Sequence, residues 1–401
     1  QRLRMWPNGE IWRRLLQGAP PCEFSTPHRA PTVENLSNHY FKPRPTGSES
    51  PGRHRVQSPQ STNHPETGCM RLKGWIERDG VRITTAELER MLATNPENLA
   101  RCGGEFLVEW DDCTARDDPG IIPGPVPPGT ICCGGRPVGR IKPDPPPCSL
   151  EEAIVTAVKL RSDEGVVAFS GGVDSALIAH LARLPCVTVG LPGSHDLARA
   201  TKAARMLDLD LTVISPGKEE VADALSRVVR AIPGPPNPVD ASIATTLYFV
   251  AETAEEQGHT RILAGQGADE IFGGYARYLS STDLAAELER DFADLPRQRA
   301  RDQAVAALHG AYFSMPYQDL RVVRAALPIP ASIRVRGGVR KYPLRLIAER
   351  HIPAEIAWTE KKAMQYGSGI WKTIETLARA NGYKKSVQRY LTEISRAEHD
   401  H

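Results

Sequence analysis

Nowhere in the 401 residues does an apolar run approach the roughly eighteen needed to cross a bilayer. No basic start followed by an apolar stretch and a cleavage site marks a leader, so a cytoplasmic protein without membrane contact is the expectation. Charge of one sign is lacking too: 50 Lys and Arg meet 48 Asp and Glu, a formal net charge of +2. Without a one-signed field the chain has no global means of holding nucleic acid or an anionic surface, so ligands must be recognised at local sites. None of the 8 cysteines falls in C-x-x-C spacing, which excludes the common zinc and dithiol motifs. Reduced, structural thiols are expected, with the vicinal Cys132 and Cys133 as the one arrangement open to a redox or metal role. Two familiar phosphate loops are also missing, the Walker form G-x-x-x-x-G-K-S/T and the dinucleotide form G-x-G-x-x-G.

What is present changes character along the chain. Residues 1–69 are rich in Pro, Ser, His, Asn and Arg without apolar periodicity, and such a composition cannot offset its ordering entropy. They are expected to be a disordered extension, with Met70 as the natural start; a nucleic-acid arm is the weaker alternative, since no basic cluster occurs. Residues 70–147 read as a small α+β module with one amphipathic helix over 84–94. The proline stretch 143–147 then serves as a semi-rigid linker. Ser149 and Glu152 form a capping box ahead of a helix carrying Ile154, Val158 and Leu160 on one side.

Beyond it, strand-like runs at 166–170, 187–191, 211–215 and 261–265 alternate with helical segments. That alternation predicts an α/β fold, a parallel five-stranded sheet with helices on both faces. After about Tyr278 the chain reads as helical, over 283–292, 297–312, 319–326, a segment around Lys341 and 371–393, with a turn at Gly337 and Gly338.

The string V-V-A-F-S-G-G-V-D-S-A-L-I-A-H-L puts a buried strand before Ser170, Gly171 and Gly172, and a helix after them. Two glycines let backbone N–H groups approach an anion closely, and the helix adds its positive end. Asp174 suits a magnesium ion, and Ser170 and Ser175 can donate hydroxyl hydrogen bonds to phosphate. The bland alternative is a Gly-Gly turn with Asp174 as the helix cap.

S-G-G-x-D-S after a buried strand resembles the PP-loop of the ATP pyrophosphatases, which cleave ATP between the α and β phosphates. Four further strings occur in the order found in asparagine synthetases. V-T-V-G-L-P-G-S-H-D resembles the segment that lodges adenine, which implies roles for Val189 and Gly190. A-G-Q-G-A-D-E-I-F-G-G-Y resembles the second signature, implying that Asp269 joins Asp174 in binding magnesium and pyrophosphate, with Gly265 and Gly267 on the nucleotide side. M-P-Y-Q-D stands where the family has P-F-L-D, with Asp319 as its aspartate. R-K-Y-P-L-R and I-P-A-E-I-A-W-T-E-K-K resemble the closing part and set Lys341 and Lys361 on its lysines, as fixed charges beside the leaving pyrophosphate.

The resemblance implies the adenine nucleotide alpha hydrolase-like fold over residues 148–401, ATP and Mg²⁺ as cofactors, and a ligase that adenylates a carboxylate, aspartate first, for transfer to ammonia. Adenine is expected on Phe169, Val189 and Gly265. Ser242, Thr245 and Tyr248 are weaker candidates for the acceptor pocket, and Tyr275 is either core or substrate contact. Two departures stand out. Gln266 replaces the family's Glu, and the N-terminal Met-Cys-Gly-Ile that attacks glutamine is absent. R-C-G-G-E-F-L-V-E-W-D-D-C-T-A-R-D-D-P-G-I resembles only the later part of a glutaminase domain, so 70–147 is expected to be an inactive, shortened remnant. Ammonia would then arrive free or from a separate amidotransferase subunit. The alternatives are an amide or lactam synthetase acting on another carboxylate, and a catalytically silent ATP-binding partner. A tRNA-modifying PP-loop protein would need a cysteine pair and a basic face, and neither is found.

Overall fold

A computed structural model describes residues 70–360, 367–384 and 386–396; the expectations for 1–69 and for Lys361 lie outside them. The first unit is a six-stranded antiparallel sheet ordered β2-β1-β3-β4-β5-β6. Its strands are β1 Arg71–Arg78, β2 Val81–Arg82, β3 Gly103–Trp110, β4 Cys113–Arg116, β5 Thr130–Cys133 and β6 Arg136–Arg140. Alternation along β3 sends Phe106, Val108 and Trp110 to one face, where they meet Leu88 and Leu92 of the helix Thr85–Thr94. That helix starts on a capping box between Thr84 and Glu87. Cys113 and Cys133 sit opposite each other on β4 and β5 and form a disulfide. The expectation of reduced thiols fails at this pair, because strand register, which a spacing rule does not see, brings two distant cysteines face to face. Cys132 keeps a free thiol.

The second unit carries a parallel sheet ordered β11-β10-β7-β8-β9. Four of its strands, β7 Val166–Ala168, β8 Cys186–Val189, β9 Leu211–Ile214 and β10 Arg261–Leu263, match the runs expected from sequence, β8 starting one residue earlier than expected. Each is three or four residues dominated by Val, Ile and Leu, and β7, β8 and β10 are almost entirely buried, as a sheet covered on both faces requires. The fifth, β11 Tyr312–Ser314, lies in a stretch read as helix. Helix Leu295–Ala307 ends instead before Gly310, at φ 64°, and the chain turns into the sheet. A tail made only of helices is therefore corrected by one edge strand. The helix expected over 371–393 divides at Asn381 and Gly382 into Ile370–Ala380 and Val387–Arg396.

The two units share a seam rather than a loose link. Ile121 and Ile122 of the small unit join the core of the large one. Glu77 pairs with Arg321 at 2.8 Å and Glu105 with Arg161 at 2.9 Å. Among the described residues no helix is long and apolar enough to cross a membrane.

Candidate active site

Two loops leave the carboxyl ends of β7 and β10, neighbouring strands at the middle of the sheet, where open α/β folds bind ligands. After β7, the Phe169 N–H still bonds to Val187 O at 2.8 Å, and then the chain turns. Gly171 takes φ 68°, and a Cβ there would lie 2.8 Å from the Ala200 backbone, so the turn needs glycine for both reasons. Ser175 Oγ accepts from the Ser170 N–H at 3.1 Å and lies 3.1 Å from Ser170 Oγ, which closes the loop on itself. Gly172 precedes helix Val173–Ala182 and no side chain caps it. Gly172 thus stands at the N-cap in place of Asp174, and the positive end of the helix lies at the turn.

The second loop runs Gly265, Gln266, Gly267 into the short helix Ala268–Phe272 and out through Gly273 and Gly274. A Cβ at Gly274 would meet Asp269 Oδ1 at 1.8 Å and Lys341 Cε at 2.1 Å, so this glycine makes room for the charges beside it. Lys341 Nζ donates to Asp174 at 2.9 and 2.8 Å and lies 2.6 Å from Asp269 Oδ1. The lysine is buried, in the left-handed region at φ 56° just ahead of helix Tyr342–Ala348. Burial by itself pulls its pKa down, but the Asp174 and Asp269 carboxylates outweigh that and hold it above the usual lysine value. The Asp174 side chain is 5% exposed and that of Asp269 31%, so the cluster opens to solvent on the Asp269 side.

Above the cluster lies a cavity of about 110 Å³ that opens to solvent. Phe169, Val187, Val189, Leu247 and Val250 give it an apolar wall, while Ser170, Ser175, Asp174 and Asp269 line its polar end. No Lys or Arg is among the described lining residues. Positive charge reaches the polar end from Lys341 behind the carboxylates and from the uncapped helix.

Of the residues expected at the site, Phe169, Ser170, Asp174, Ser175, Val189, Gly265 and Asp269 face one space. Gly171, Gly172, Gly190 and Gly267 shape the loops without lining the cavity. The acceptor candidates Ser242, Thr245 and Tyr248 point elsewhere. Ser242 is fully buried, Thr245 donates to Ala241 O, and Tyr248 packs edge-on against His309. The same helix, Pro238–Glu256, presents Thr246, Leu247 and Val250 to the cavity instead. Tyr275 donates to Glu270 and carries the Arg277 guanidinium on its ring, a packed rather than a substrate-facing role. Asp319 caps helix Leu320–Ala326 and pairs with Arg161 and Arg321.

Sequence reasoning missed Asp196, Thr246 and Ser368 in the cavity wall. Asp196 lay in the string V-T-V-G-L-P-G-S-H-D; it pairs with Arg199 at 2.6 Å, and Arg199 in turn donates to Ser170 O at 3.1 Å. Gln266 lines the cavity and leans toward the fully buried Asp302, whose carboxyl burial pushes up against the opposing pull of Arg301.

The family model for asparagine synthase matches residues 149–304 and 281–392, more than half of the chain. The chain belongs to the asparagine synthase family. Asp174, Asp269, Lys341 and every lining residue of the cavity fall inside the asparagine synthase match, whereas the small antiparallel unit lies outside it. The glutamine-hydrolysing asparagine synthetase 1 assigned to Methanocaldococcus jannaschii is 32% identical over 295 residues, 62% of this chain and 54% of that protein. Asparagine synthetase B of Escherichia coli is 27% identical over 275 residues, 61% and 49% of the two chains. The carboxyethyl-arginine beta-lactam-synthase of Streptomyces clavuligerus is 26% identical over 263 residues, 62% and 50%. The chain thus spans about half the length of the curated relatives it matches. NMN synthetase from Francisella tularensis overlays at a TM-score of 0.32 with 16% identity, over 63% of this chain and 95% of that one, too loosely to carry an argument.

Proposed function

We propose that the chain is an ATP-dependent amide-forming ligase that moves AMP from ATP onto a carboxylate, L-aspartate first, releases pyrophosphate, and passes the acyl group to ammonia. The observation that carries this reading is the Lys341 ammonium held between Asp174 and Asp269 at the polar end of the cavity. Two carboxylates already gathered round a cation form a hard-oxygen set of the kind magnesium takes, so the residues fit that ion. When bound, magnesium neutralises the charge of the phosphates. Asp174 and Asp269 hold it, the Ser170 and Ser175 hydroxyls and the uncapped helix meet phosphate oxygens, and the apolar wall receives the adenine and excludes water. Lys341 answers the negative charge that builds on departing pyrophosphate, and Lys361 is proposed as a second such charge. The unit 70–147 is read as a shortened glutaminase-like remnant that does not hydrolyse glutamine, so nitrogen comes from free ammonia or a separate amidotransferase subunit.

A second reading, a lactam or amide synthetase working on another carboxylate, is favoured by Gln266. Gln266 lines the cavity where the resembled family has Glu, a change that bears on the acceptor or on the geometry in which it is held. The similarity to a relative named a beta-lactam synthase supports this reading. Incubation with Mg-ATP, ammonia and a panel of carboxylic acids, read as AMP and pyrophosphate, tests both readings. Aspartate-dependent AMP supports the first and AMP with another acid only the second; no AMP with any acid refutes both.

A further inference from the structure

The small unit lies outside the asparagine synthase match, yet one of its side chains is wired to the site. Glu105 is fully buried. It accepts from Trp75 Nε1 at 3.2 Å and Arg161 Nε at 2.9 Å, and then from the Ser314 hydroxyl and the Met315 N–H, the latter at 3.0 Å. Ser314 ends β11, and Met315 is the residue just ahead of the turn Pro316–Gln318. The far end of the turn is tied to the same centre, because Arg161 also pairs with Asp319 at 3.0 Å. Glu105 and Arg161 therefore grip the turn on both sides.

That turn touches both carboxylate-bearing loops. Tyr317, fully buried, donates its hydroxyl to the Asp174 backbone carbonyl at 2.9 Å. Its ring packs edge-on against Phe272, the last residue of the short helix that carries Asp269. Gln318 accepts from Arg299 at 2.6 Å, and its Cγ lies 2.8 Å from where a Gly267 Cβ would be, in direct support of the second loop. Tyr and Gln stand here where the resembled P-F-L-D has Phe and Leu, so the hydroxyl and the amide that make these contacts are features of this chain.

We propose that Glu105 is a positioning residue for the magnesium-binding carboxylates, acting through the turn 316–318, and that the small unit serves the synthetase as a strut. The inference rests on the reading of Asp174 and Asp269 as magnesium ligands. A carboxylate that accepts four hydrogen bonds only as packing gives a different outcome from one that positions the turn, and the test separates the two by what moves.

Tyr317→Phe in the full chain removes one hydroxyl and leaves the ring in place. Isothermal titration with ATP, in EDTA and then over a series of magnesium concentrations, reads nucleotide binding apart from turnover. The expected result is a rise of about fivefold in the magnesium concentration giving half-maximal ATP affinity, the worth of one hydrogen bond, with affinity in EDTA unchanged. Glu105→Gln keeps the shape but faces the Arg161 and Trp75 donors with an amide, and is expected to move the magnesium midpoint further in the same direction. Should Glu105→Gln fail to fold, Tyr317→Phe decides alone. An unchanged magnesium midpoint in a Tyr317→Phe variant whose wild-type parent shows the magnesium response overturns the strut and leaves the ligase reading standing. Equal losses with and without magnesium reduce the contact to packing and overturn it too. A wild-type chain whose ATP affinity ignores magnesium overturns both this inference and the metal reading beneath it.

Discussion

Replacing Lys341 by methionine keeps a long unbranched side chain and deletes the ammonium that lies 2.8 Å from Asp174 Oδ2 and 2.6 Å from Asp269 Oδ1. At an effective dielectric of about 20, each such contact carries about 6 kcal/mol of Coulomb attraction before desolvation is charged against it. Burial consumes much of that, and removing one partner from a buried ion cluster typically leaves a net loss of about 3–5 kcal/mol. The catalytic loss is separate. On the proposed function pyrophosphate departs with extra negative charge, and removing one fixed stabiliser of such charge costs about 10²–10³ in kcat. Because the lysine pKa is raised by its carboxylates, its contribution to stability is complete below the ordinary value of 10.5 and is lost only as pH rises through the higher folded value. The lysine's contribution is therefore flat around neutrality, and Lys341→Met is expected to show its full stability loss there. Urea unfolding near neutral pH and pyrophosphate release at saturating Mg-ATP measure the two effects. A variant that keeps kcat within about threefold, or that unfolds at the wild-type urea midpoint, refutes the role assigned to Lys341.

Gly171→Ala should lower Mg-ATP affinity at least about tenfold in a calorimetric titration, since its φ of 68° and the Ala200 backbone 2.8 Å from the added Cβ both push the phosphate loop out of shape; unaltered affinity would show that the loop does not hold phosphate. Burial raises the Asp117 carboxyl to about 7 against the opposing backbone N–H groups of Ile121 and Ile122. A carboxyl raised in the fold gives stability that is present below the ordinary 3.8 and lost as pH climbs through about 7, on the order of 4 kcal/mol in all. Thermal unfolding of Asp117→Asn is expected to lose less midpoint than wild type between pH 5 and 8, and a parallel pH dependence of the two would contradict that cause.

The residues legible in the sequence are those whose role depends on the backbone near them. The glycine loop at 170–172 announced itself because a buried strand, two glycines and a helix follow in order, and the capping box at Ser149 and Glu152 did so for a similar reason. Four strands were visible as short β-branched runs, but β11 was hidden because A-Y-F-S-M is too short to distinguish from the end of a buried helix. The acceptor candidates Ser242, Thr245 and Tyr248 were misplaced by helix phase. Nearly the whole of helix Pro238–Glu256 is buried, so no polar face marks which side meets the cavity. Lys341 was found through the order of motifs alone, and its pairing with both carboxylates belongs to tertiary packing. The disulfide and the Glu105 grip were invisible for the same reason, each joining residues that only sheet register or the seam brings together.

Lys341 reaches Asp174 from 167 residues further along the chain. During synthesis the glycine loop and its first carboxylate emerge, and can settle into the growing sheet, well before the ammonium that balances them has left the ribosome. A nascent or proteolytically clipped molecule lacking the segment around residue 341 holds the two acids without the ammonium that lies between them in the intact one. On the proposed function, the ability to spend nucleotide matures late, as the helical half docks.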